Sequence, residues 1–149
     1  MPVPATNVNG PFPVAQLAVH DTSPTWVYCR QSGHCQQGMV FAVNPGDKFA
    51  AFKAAAMGGS SSVSVPPAST PPPTSTSTPV VVNPQPTSTG SDHRVIVGGT
   101  GVLTFQPNTV VAQPGDTVTF EFHQKNHTAT QSTFASPCQP MAGGFNSGL

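Results

Sequence analysis

Pro114-Gly115-Asp116-Thr117-Val118-Thr119-Phe120-Glu121-Phe122-His123 opens on a turn and runs straight into alternating side chains. Pro-Gly-Asp punctuates the chain through its backbone chemistry. Successive side chains of an extended strand point to opposite faces. Val118, Phe120 and Phe122 therefore share one face, as in a half-buried strand. His123 falls on the opposite face and is expected in solvent. Upstream, His93 to Val97 is a short β-branched run stopped by Gly98-Gly99, and Leu103-Thr104-Phe105 and Thr109-Val110-Val111 flank a Pro-Asn turn. The first third of the chain reads alike, with candidate strands at Val14–His20, Thr25–Cys29 and Met39–Val43. Asn44-Pro45-Gly46 then turns the chain. Asp47 is expected to N-cap a short helix from Lys48 to about Met57, with Phe49, Phe52 and Ala56 on one face and Gly58 at its end. Together these elements predict an all-β fold: a Greek-key β-sandwich, mostly antiparallel, with one short helix.

Composition narrows the function. Only 7% of residues are charged, and five Lys+Arg balance five Asp+Glu, which disfavours nucleic acid or an anionic membrane surface as partner. No apolar run approaches the ~20 residues of a membrane span. Three cysteines leave one unpaired after disulfide formation, and a metal thiolate would account for it. From Gly58 to Ser91 the sequence turns to Ser, Thr and Pro, too poor in apolar surface to offset its ordering entropy. It reads as a disordered linker of the kind found in O-glycosylated stalks, dividing the chain into residues 1–57, 58–91 and 92–149. A flexible linker of roughly 34 residues spans roughly 30–35 Å. That is enough to reach round a domain with a radius of gyration near ~13 Å, so the two flanking parts can fold on each other.

The chemistry concentrates in Tyr28-Cys29-Arg30-Gln31-Ser32-Gly33-His34-Cys35-Gln36-Gln37-Gly38-Met39. Cys29, His34 and Met39 follow one another with four residues in each gap. A thiolate, imidazoles and a distant axial thioether are the donors of a blue-copper site, which needs one more His. Of the five histidines, His127 in Asn126-His127-Thr128 is the best placed, just past the alternating strand, with His123 next; His20 and His93 read as ordinary strand-end residues. Each has a plainer reading. Cys29 would serve equally as a disulfide cysteine, Met39 as core packing and His127 as a surface residue. Asn126-His127-Thr128 is also an N-glycosylation sequon, though a glycan beside a metal-binding His is sterically awkward. Asp21, Asp47, Asp92, Asp116 and Glu121 are scattered, with no general acid–base pair and no Ser/His/Asp arrangement among them.

Asn126-His127-Thr128-Ala129-Thr130-Gln131-Ser132-Thr133-Phe134 with Pro137-Cys138, and Trp26-Val27-Tyr28-Cys29-Arg30-Gln31 with His34-Cys35 and Gly38–Asn44, resemble the two ligand segments of fungal extracellular cupredoxin-like proteins, relatives of the plant phytocyanins. The resemblance implies a cupredoxin sandwich in which His127, Cys29, His34 and Met39 hold copper. It also implies that Cys35 pairs with Cys138 in a disulfide beside the site. In that family the segment like His127's comes first, whereas here it comes last, so the halves stand in permuted order. The sequence is expected to be either a fragment spanning two tandem domains or a circular permutant, the former favoured because Met1-Pro2-Val3-Pro4-Ala5 has no secretory signal. The function implied is a non-enzymatic copper module at the fungal cell surface, secreted and stalk-borne, serving electron transfer or copper handling with an unnamed redox partner. A structural cell-wall or adhesion module with a degenerate site is the alternative.

Overall fold

The computed structural model describes residues 2–3, 11–59 and 90–148, so residues 60–89 of the expected linker lie outside the described residues. Ten strands are described: β1 (Pro2–Val3), β2 (Val14–Ala18), β3 (Thr25–Tyr28), β4 (Val40–Val43), β5 (Asp92–Val97), β6 (Phe105–Gln106), β7 (Thr109–Val110), β8 (Thr117–Phe122), β9 (Lys125–Asn126) and β10 (Thr130–Ser132). One helix, α1 (Phe49–Ala56), follows β4. The strands form two four-stranded sheets, ordered β10-β3-β4-β7 and β2-β8-β5-β6, and β1 pairs with β9. Both sheets are mixed. Antiparallel pairing dominates, but β4 runs parallel to β7 and β5 parallel to β8.

Each sheet draws strands from both ends of the chain: β2 pairs with β8, and β3 with β10. The two parts therefore form one all-β sandwich. Its core lies between the sheets, where Val27, Phe41, Val43, Val95, Val97, Phe105, Val118, Phe120 and Phe122 are buried together. Phe41 meets Phe120 edge-on, with ring centroids 5.3 Å apart, an arrangement favoured by the ring quadrupoles.

The first sheet is covered on both faces. Phe41 and Val43 point into the sandwich, while Val40 and Ala42 pack with Trp26, Tyr28, Phe52 and Ala56 beneath α1. A strand buried on both faces has no reason to alternate, which explains the unbroken apolar run of β4. Helix α1 differs from expectation at its start. Lys48 occupies the N-cap position without a side-chain bond, and Asp47 is exposed in the preceding turn, where Lys48 N–H donates to the Pro45 carbonyl at 3.1 Å. Its end follows expectation. Gly58, at φ +80°, lets Gly58 N–H reach the Ala55 carbonyl and Gly59 N–H the Ala54 carbonyl at 2.8 Å, a Schellman closure.

One histidine, His123, is less open than the sequence suggests. His123 stacks on Phe12 at 3.8 Å between centroids, and its Nε2 lies 2.7 Å from Glu121 Oε1. It is shielded because the chain before β2 runs alongside the end of β8, with Phe122 N–H donating to the Pro13 carbonyl. His93, near the end of β5 as expected, is half-buried and holds Asp116 at 2.9 Å.

Candidate metal centre

β3 delivers Cys29 to the end of the sandwich, and the chain returns ten residues later at Met39. The intervening loop is closed at its base, where Cys29 N–H donates to the Met39 carbonyl at 3.1 Å. His34 sits at its centre and organises it: the His34 carbonyl accepts from both Gln37 N–H and Met39 N–H. Gly38, at φ +89°, makes the left-handed step by which a short 3-10 turn (Cys35–Gln37) exits into β4.

His127 arrives from the other end of the chain. The register of β10 on β3, Thr130 opposite Tyr28, lays the preceding residues beside Cys29. Thr128 N–H then points at Cys29 Sγ from 3.4 Å, and Arg30 N–H donates to Thr128 Oγ1 at 2.7 Å. The result is a cluster of three donors. Cys29 Sγ lies 3.4 Å from His34 Nδ1 and 3.9 Å from His127 Nδ1, and the three ligand atoms all fall within 4.8 Å of one another.

The two sulfur–nitrogen separations suit a shared ion. Metal–sulfur and metal–nitrogen bonds of about 2.0–2.3 Å around one centre set neighbouring donors about 3.4–3.9 Å apart in tetrahedral or trigonal geometry. One thiolate with two imidazoles is the equatorial set of a blue-copper centre. Electrostatics point the same way for the imidazoles. Burial lowers the pKa of His34 and, more deeply inside, of His127, keeping both neutral, as metal ligation requires. For Cys29 burial raises the thiol pKa, opposed by hydrogen bonds from the Thr128 and Gln31 backbone and the Thr128 side chain. A bound cation would favour the thiolate outright.

His127 is further held from behind. Its Nε2 lies 3.1 Å from the Gln124 carbonyl, an acceptor that fixes the proton on Nε2 and turns the Nδ1 lone pair toward Cys29. Gly98 packs against the same ring so closely that a Cβ there would collide with Nε2 and Cδ2. Sequence reasoning missed Gly98, Gln124 and Thr128. Gly98 was legible only as a strand stop; its second role needed the strand-end backbone to meet an imidazole from elsewhere.

Met39 is fully buried in the same core cluster as Cys29, at the far end of the closed loop. Cys29 is a free thiol, and Cys35 is joined to Cys138, with Cα atoms 5.9 Å apart. The disulfide ties the His34 loop to the segment after β10. His123, the second-ranked histidine, lies outside the Cys29/His34/His127 cluster, bonded to Glu121.

No family model matches the chain, and no solved structure matches it. A curated protein of Arthroderma benhamiae, "Probable GPI-anchored cupredoxin-1", is 44% identical over 43 residues. Over that stretch the chain is similar to a cupredoxin. The match takes in 27% of this chain and 23% of the relative, so the chain spans about a quarter of the length of the curated protein it matches. Among the described residues, no helix is long and apolar enough to cross a membrane.

Proposed function

We propose that this chain is a type 1 (blue) copper module that transfers electrons or handles copper at a fungal cell surface, with no enzymatic activity of its own. The observation that carries the reading is the meeting of Cys29, His34 and His127, which lie 98 residues apart at their extremes and converge in a largely buried cluster. Copper, when bound, would supply one-electron cycling between Cu(II) and Cu(I), soft sulfur suiting one state and imidazole the other. The chain's own residues do the rest. Cys29, His34 and His127 would hold it, with the Met39 thioether as a fourth donor. The Thr128 amide steadies the Cys29 sulfur, the Gln124 carbonyl holds the His127 tautomer, and the core around Cys29 and Met39 excludes water. Framing of this kind keeps the donors nearly fixed between oxidation states, which suits rapid electron exchange.

The cell-surface placement rests on the relative's printed description as GPI-anchored and on the Ser/Thr/Pro-rich segment, read as an O-glycosylated stalk. The reading treats the chain as two cupredoxin halves in permuted order, completing one Greek-key domain. The test is direct. Cu(II) added to the purified chain should produce an intense visible thiolate-to-copper band and protect Cys29 from alkylation. A colourless protein with Cys29 alkylated in the presence of copper would leave the adhesion-module reading standing instead.

A further inference from the structure

Asn126-His127-Thr128 meets the N-glycosylation sequon, with His rather than Pro in the middle. The objection from sequence is that a glycan would crowd a buried imidazole. The fold separates the two by depth: Asn126 is exposed at the cleft that both residues line, whereas His127 is only 1% exposed. The Asn126 side chain has no hydrogen-bond partner among the described residues. It lines a cleft of about 370 Å³ that also contains His34, His127 and the apolar residues Val102 and Leu103. His34 is the less buried of the two histidines, so this cleft is where solvent meets the cluster.

We infer that Asn126 carries an N-linked glycan standing at the rim of the cleft over His34, where it holds protein-sized molecules away while admitting small solutes. In the modification the amide nitrogen Nδ2 attacks C1 of a lipid-pyrophosphate-linked oligosaccharide. A C–N bond forms, the C1–O bond breaks, the lipid pyrophosphate leaves and one amide proton passes to a base of the transferase. Nothing is oxidised or reduced. The buried Thr128 hydroxyl, engaged by Arg30 N–H in the fold, is read earlier, on the extended nascent chain. The glycan lies outside the core, so it adds bulk only on the solvent side of β9.

The rim role rests on the copper reading above; the modification itself does not. The full chain would be secreted from a yeast and the peptide containing Asn126 weighed, with and without native endoglycosidase trimming to one sugar. The expected result is an oligosaccharide mass on that peptide, absent in Asn126→Gln. In the copper-loaded protein, hexacyanoferrate(II) should give one electron to Cu(II) at the same rate before and after trimming. Ferrous cytochrome c should do so severalfold faster after trimming. A bare Asn126 in the secreted chain overturns the inference, and equal cytochrome c rates overturn the rim role. If no blue band forms, the proposed function fails, while the mass measurement still decides the modification.

Discussion

The backbone of Gly98 lies directly against the imidazole of His127, with no room for a Cβ between them. Gly98 also has φ +78°, a conformation that side-chain-bearing residues rarely adopt. Gly98→Ala should therefore push His127 off the Gln124 carbonyl and away from Cys29. We expect the copper band to be lost or strongly weakened, with overpacking costing about 1–3 kcal/mol of stability. Copper titration followed in the visible, beside a thermal melt, separates the two effects. A full-strength band in the variant would show that His127 is not held by this contact.

Met39 and His127 should behave differently when replaced. Met39 is fully buried, and Met39→Leu conserves volume, costing under about 1.5 kcal/mol. An axial donor tunes a blue-copper centre, so this variant should keep its band at a shifted wavelength. His127→Ala removes one of the three clustered donor atoms and should abolish the band. Absorption and electron paramagnetic resonance spectra of the two copper-loaded variants check the contrast.

The Cys35–Cys138 disulfide closes a sequence separation of 103 residues. By chain entropy a loop of that size is worth up to about 4.7 kcal/mol, and measured native bridges generally give about 2–5 kcal/mol. Replacing both cysteines by Ala should lower stability by about that amount. It should also loosen the His34 loop and weaken copper binding. Urea unfolding of the variant and of the parent, at equal pH, measures the first; copper competition measures the second.

Acid should weaken the far end of the sandwich through Asp116. Hydrogen bonds from Gln113 N–H, His93 and Ser91 N–H hold its pKa below the ordinary carboxylate value. A group whose pKa is depressed by folding stabilises the fold above its unfolded pKa, near ~3.9. That contribution is lost as pH falls through the lower, folded value. Melting temperature should thus drop as pH goes from about 5 toward 2, and Asp116→Asn should show a lower melt at neutral pH with a flatter acid limb. The same acid slope in both proteins would assign the effect to other carboxylates.

Much of the fold was legible because its signals are local. Alternation in Thr117–Phe122, the turn at Pro114-Gly115-Asp116 and the helix stop at Gly58 each follow from a few residues' own backbone preferences, and the expected strands appear within a residue or two, whereas β1, β9 and β10 were not foreseen. Asp47 as N-cap and His123 in solvent failed for the opposite reason. Asp47 was drawn into a turn made by Pro45 and Lys48, and His123 was roofed by Phe12, which lies more than a hundred residues earlier.

For the site, the sequence by itself determined the donor types, the Cys29–His34–Met39 spacing and the odd number of cysteines. Those depend only on chemistry within one loop. The sequence singled out His127 as the best-placed histidine, but that it lies against Cys29, that its ring is backed by Gly98 and Gln124, and that Asn126 faces outward were decided by tertiary structure. The reason is physical: the meeting depends on the register of β10 against β3 and on both sheets drawing strands from the two ends of the chain. A shift of one residue in that register would turn His127 to the other face and take its imidazole away from Cys29.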